Sequence, residues 1–165
     1  MSVICENIPE IVLFEDYEGD YFKYQNAIYQ KFLKDFMHSK PVFKGEALAL
    51  KRYPLFKEKE ATFWHIVSEG LVESERVLDI RRCERISWPR VIIERCFKSC
   101  TKIKVWENYR KKEKRILLWC EDIEYLVVLA DRKDYILFWT AYPVTESHRK
   151  RKLQKEYEGF IKKYL

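Results

Sequence analysis

The chain has 165 residues, a mass of 20.2 kDa and a formal net charge of +6. Apolar residues make up 47% of it, against only four Gly and five Pro, a balance that fits one packed domain and argues against a disordered or low-complexity chain. The longest apolar run, Tyr125 to Ala130, is strand-sized beside the roughly 20 residues of a membrane helix, and no basic lead-in precedes the acidic Glu6, Glu10, Glu15 and Asp16, so neither a membrane span nor a signal peptide is expected.

In chain order, Ile11 to Phe14 reads as a short strand. Asp20 then caps a helix to about His38, with Tyr21, Tyr24, Ile28, Phe32, Leu33 and Phe36 at helical spacing and Pro41 as its stop. Two strands are expected at Ala47–Arg52 and Ala61–Val67, joined through the charged turn Lys57 to Glu60. Asp79 suits the cap of a short helix to Ile86. Ser87 and Pro89 open another, carrying Val91, Ile92, Ile93 and Phe97 and ending near Cys100. Four strand-like runs follow at Lys102–Asn108, Arg115–Cys120, Glu124–Ala130 and Tyr135–Tyr142. Their short connectors favour an antiparallel meander over parallel crossovers. Thr145 would cap a closing helix with Leu153, Tyr157, Phe160 and Tyr164 on one face. The expected class is α+β in a single domain over 1–165: N-terminal helices, a four-stranded antiparallel meander and a C-terminal amphipathic basic helix, with 1–40 as a strand-and-helix extension of a 41–165 core.

Charge is unevenly placed. Residues 1–80 carry 10 Lys/Arg and 14 Asp/Glu, residues 81–115 carry 13 and 4, residues 116–145 carry 2 and 5, and residues 146–165 carry 7 and 3. Two basic blocks suggest an anionic partner, most commonly nucleic acid; a solvated basic face is the alternative. Five cysteines, Cys5, Cys83, Cys96, Cys100 and Cys120, form an odd set without a C-x-x-C pair, as expected of reduced cytoplasmic thiols. Cys96, Cys100 and Cys83 lack a fourth ligand at useful spacing, no phosphate-cradling glycine loop is present, and neither a metal nor a cofactor is expected.

Four groups of residues could carry chemistry. His65 lies in an apolar run and titrates near neutral pH, as a general base or acid must; a buried, hydrogen-bonded histidine is the alternative. Arg81, Arg82, Arg85 and Arg90 would crowd guanidiniums together, which suits a phosphate unless nearby carboxylates pair with them. Thr140 and Tyr142 would point their hydroxyls to one face of the last strand. His148 and Lys152 are i, i+4 neighbours on the closing helix. Trp88 and the other aromatics among the basic residues suit stacking on single-stranded RNA.

Phe63-Trp64-His65, the Arg81–Arg85 and Trp88 segment, and Thr140-Ala141-Tyr142-Pro143 followed by His148 and Lys152 together resemble the ribonuclease superfamily that groups barnase, EndoU, nuclease colicins and RelE-type toxins, in particular its phage- and mobile-element-associated branch. The resemblance covers about residues 40–165. It implies a metal-independent endoribonuclease that uses the RNA's own 2′-OH as nucleophile and forms a cyclic phosphate, as a toxin or phage effector with a possible cognate inhibitor protein. His65 would be base or acid, Arg82 or Arg85 would hold phosphate, Thr140 and Tyr142 would position phosphate or base, and His148 would be the partner acid. Arg81, Arg90, Lys152 and Trp88 would bind RNA. A non-catalytic RNA-binding module and an antitoxin- or immunity-type interaction domain are the other expectations.

Overall fold

The computed structural model describes residues 8–70, 76–95 and 103–164. A 3-10 turn at Phe14–Tyr17 stands where the sequence suggested a strand; its approach is tied to the rest of the chain by scattered bonds, from Val12 N–H to the Glu84 carbonyl and from the Tyr24 hydroxyl and Trp88 Nε1 to the Val12 and Pro9 carbonyls, rather than by a ladder. Helix α1, Tyr21–Phe32, begins at Asp20, whose carboxylate accepts the Phe22 and Lys23 amides at 3.0 and 3.1 Å. A π-helical turn at Leu33–Met37 extends it and keeps Phe36 in register with Tyr24, Ile28 and Phe32 on the buried face.

The run expected as one strand at Ala47–Arg52 is divided. Strand β1, Val42–Phe43, pairs with β2, Glu46–Ala47, whereas β3, Ala49–Leu50, joins the main sheet. Lys57 and Glu58, at φ 48° and 62°, turn the chain back so that Phe56 bridges Lys59. Next, Ala61–Val67 is helix α2, which corrects the strand expected there. All seven of its residues are buried, so apolar side chains face every direction and neither helical nor strand periodicity is visible. Strands β4, Ser68–Glu69, and β5, Val77–Leu78, form a small hairpin. Helix α3, Ile80–Glu84, starts at Asp79 as expected, and α4 spans Trp88–Arg95. The end expected near Cys100, the cysteines Cys5, Cys96 and Cys100, and the proposed strand start at Lys102 lie outside the described residues.

The meander follows as β6, Ile103–Arg110; β7, Glu113–Cys120; β8, Tyr125–Asp131; and β9, Ile136–Pro143. Its first hairpin is tighter than expected: Lys111 and Lys112 alone make the turn, at φ 50° and 67°, the doubly left-handed geometry that matches strand twist. The sheet is five-stranded and mixed, in the order β3-β9-β8-β7-β6, because β3 adds in parallel to the outer edge of β9. A strand was expected around these residues, at Ala47–Arg52, but nothing local to it shows a partner as distant as β9, so the sheet itself was expected to have four strands.

Both sheet faces are covered. Inward-facing Ile116, Leu118, Cys120, Tyr125, Val127, Leu129, Phe138 and Ala141 meet α1, α2 and α4 in one core, to which Tyr24, Ile28, Phe32 and Phe36 belong, so the N-terminal helix is part of the fold's centre rather than an extension of it. The outer face, with Trp106, Leu117, Trp119, Leu126 and Val128, is covered by α5, Ser147–Tyr164, through Leu153, Tyr157 and Phe160. Helix α5 starts after Glu146, whose carbonyl accepts the Lys150 amide at 3.0 Å, one residue later than a Thr145 cap would require. No helix among the described residues is long and apolar enough to cross a membrane.

Candidate functional site

Helix α5 crosses the outer face obliquely. Near its start Arg149 Nη2 donates to the Tyr142 hydroxyl on β9 at 3.2 Å, and two turns later Glu156 accepts from Trp106 Nε1 at 2.8 Å and from Asn108 Nδ2 at 2.6 Å on β6. The part of the sheet that the helix leaves open is a cleft of about 450 Å³. Its floor follows from strand register. Trp106, Leu117, Val128 and Thr140 share one rung, Lys104, Trp119, Leu126 and Tyr142 a second, and Asn108 pairs with Arg115 beyond them.

A β-bulge sets the far wall. Val128 pairs with Thr140 but Leu129 with Phe138, which leaves Trp139 as the extra residue on β9. Phe138 therefore turns into the inner core while Thr140 and Tyr142 face the cleft. The Trp139 ring is held among cations and an imidazole: Arg115 Cζ at 4.5 Å, Lys51 Nζ at 5.8 Å and the His65 ring at 5.0 Å. Two guanidiniums lie against Tyr142, Arg82 at 4.9 Å and Arg149 at 5.5 Å from the ring centre.

The electrostatics are one-sided. Arg115 is paired with Glu113 at 2.7 Å, but among the described residues Arg110, Arg149 and Lys152 have no carboxylate in ion-pairing range. Among the described residues Glu156 is the sole carboxylate lining the cleft, and two N–H donors already engage it. His148 stands at the rim with its Nε2 3.3 Å from Glu146.

Of the residues singled out in the sequence, Thr140, Tyr142, His148 and Lys152 line this cleft. His65 does not. It is 6% exposed on α2, behind Trp139, and its carbonyl accepts the Thr140 hydroxyl at 2.7 Å and Arg82 Nη1 at 3.3 Å. Arg82 is largely buried and joins the end of α2 to Tyr142. Of the rest of the arginine cluster, Arg85 and Arg90 are satisfied internally and Arg81 is exposed away from the cleft: Arg85 donates to the Arg81 carbonyl and to Glu84 and lies over the Trp88 ring. Arg90 pairs with Glu94 at 3.0 Å and fastens the Asp35 carbonyl and the Ser39 hydroxyl. Trp88 donates to the Pro9 carbonyl and packs on Tyr125. The carboxylates these arginines needed were close by, as local pairing at Glu84 and Glu94 shows.

Sequence reasoning missed Asn108, Arg110, Arg115, Arg149 and Glu156, and had Trp139 only among the aromatics suited to stacking. Glu156 was within reach, because it follows Lys152 by four and His148 by eight residues on one helix face. The β6 and β7 residues became visible only with the register of the hairpin. Burial, reinforced by the charges of Asp79 and Glu84, pushes the Cys83 thiol up to about 12, so this cysteine is a protonated core group rather than a nucleophile. Among the described residues no cluster of three or more His, Cys, Asp or Glu is placed to hold a metal ion. The chain matches no protein-family model, no curated protein and no solved structure.

Proposed function

We propose that the protein engages single-stranded RNA in the cleft beneath α5 and cleaves it as a metal-independent endoribonuclease. One observation carries this reading: Arg110, Arg149 and Lys152, without carboxylate partners among the described residues, surround a cleft that offers Trp139, Tyr142 and, from α5, an accessible imidazole at His148. Unpaired cations beside aromatic rings suit a phosphate backbone with unstacked bases.

Cleavage needs a base for the 2′-OH, an acid for the departing 5′-oxygen, and positive charge on the phosphorane. In this cleft His148 takes the 2′ proton as the 2′-oxygen bonds to phosphorus. Arg149 donates to the Tyr142 oxygen, so the phenolic proton is left to point outward and can pass to the 5′-oxygen as the P–O5′ bond breaks. Arg110, Arg149 and Lys152 carry the charge, and the products are a 2′,3′-cyclic phosphate and a 5′-hydroxyl. Thr140 already donates to the His65 carbonyl and so holds β9 to α2. His65 supports Trp139 from behind, in place of the base or acid role expected from sequence.

The test is incubation of the pure protein with a short labelled RNA in excess EDTA, alongside binding measured over a range of salt. Cleavage to cyclic or 3′-phosphate ends with salt-sensitive binding is the expected result. Binding without cleavage would reduce the reading to a non-catalytic RNA-binding module, and the absence of both would overturn it.

A further inference from the structure

The cleft does not end at α5. Arg110, on its lining, stands opposite Glu113 in the β6–β7 register and is the last β6 residue before the Lys111–Lys112 turn. Around that turn, on the side of the sheet away from α5, lies a second, shallower depression of about 590 Å³, lined by Tyr109, Lys111, Lys112, Lys114 and Lys133 among others. Charge accounting separates its groups. Lys114 is tied to Glu107 at 2.9 Å and to Asp131 at 3.6 Å, and Arg132 to Glu113 at 2.9 Å. Among the described residues Lys111, Lys112 and Lys133 have no such partner. Beside them Tyr109 is 70% exposed, with its ring open to solvent at the end of a strand.

We infer that this hairpin tip is a second RNA-contact subsite, where Lys111, Lys112 and Lys133 hold the phosphates of a strand leaving the cleft past Arg110 and Tyr109 stacks one of its bases. The inference rests on the RNA reading of the cleft. It assigns substrate length: a strand of a few nucleotides fills the cleft alone, and a longer one reaches the tip. Three unpaired lysines with an exposed aromatic ring are the combination that single-strand binding uses, backbone charge with sequence-tolerant stacking.

The experiment measures binding of a tetranucleotide and a dodecanucleotide RNA by the full chain, by a Lys111→Ala/Lys112→Ala/Lys133→Ala variant and by Tyr109→Ala. All four positions are exposed, so folding is not at risk. For the dodecamer the lysine variant is expected to bind about tenfold or more weakly at about 0.1 M salt, with its salt slope shallower by about 2. Tyr109→Ala is expected to lose about fivefold or more on the same RNA. Neither variant should change tetramer binding. If wild type binds both RNAs and the variants match it on the dodecamer, or lose equally on the tetramer, the tip is not a subsite while the cleft reading stands. If wild type binds neither RNA, both readings fall.

Discussion

His148→Ala is expected to lower RNA cleavage by about two to four orders of magnitude and leave the melting temperature unchanged. The first half follows from position. Of His65 and His148, His148 is the one on the cleft, whereas His65 is enclosed behind Trp139. The second half follows from exposure. The His148 side chain is 71% exposed and its companion Glu146 65%, so their pairing contributes little to the fold. His65→Ala should behave in the opposite way, lowering stability through lost packing on Trp139 and affecting cleavage only as the fold weakens. Single-turnover cleavage and thermal melting of both variants separate the roles. A His148→Ala protein that cuts at the wild-type rate would remove this residue from the mechanism.

Arg82→Ala is expected to cost about 3 kcal/mol of stability, a fall in melting temperature of about 6–12 °C for a chain of this size. Its guanidinium side chain is 13% exposed; Nη1 donates to the Ser68 carbonyl at 3.0 Å and to the His65 carbonyl at 3.3 Å, and Nε lies 3.6 Å from Asp79. These carbonyls end α2, where unsatisfied oxygens and the helix dipole both favour a cation. Each carbonyl keeps another donor after the change, the Thr140 hydroxyl or Arg76, which is why the cost stays below that of two orphaned acceptors. Contact with the Tyr142 ring is lost as well. Lysine carries the charge without the planar fork, so Arg82→Lys should restore less than half of the loss. Melting curves within a degree of wild type for Arg82→Ala would show that the helix end does not depend on it.

How far the sequence could be read depended on how local each feature was. Asp20 and Asp79 announce their helices because a cap acts within three residues. The β7–β8 pairing was legible from short connectors and β-branched runs. By contrast, α2 was misread because burial on every side erases periodicity, and the strand expected at Ala47–Arg52 could not be placed in the sheet because the partner of β3 is β9, far along the chain. The site divides the same way. Thr140 and Tyr142 share a face by alternation, but alternation alone would put Phe138 beside them; the bulge at Trp139 sends it to the opposite side. The arginine cluster suited either an anion or pairing with nearby carboxylates, and composition could not decide between them; in the fold Arg85 pairs with Glu84 and Arg82 with Asp79.

The parallel contact between β3 and β9 bears on the order in which the chain folds. It joins Ala49 to Leu137, and the adjoining bond from Thr140 to the His65 carbonyl spans 75 residues, whereas the meander hairpins close over a few. Closing a long loop costs entropy before any contact offsets it, and local hairpins escape that cost. The meander is thus expected to form first and α2 with β3 to dock last. In native-state hydrogen exchange the amides of α2 and β3 should open at lower free energy than those of β7 and β8. The wall behind Trp139 is accordingly the last part of the cleft to be built and the first to come away.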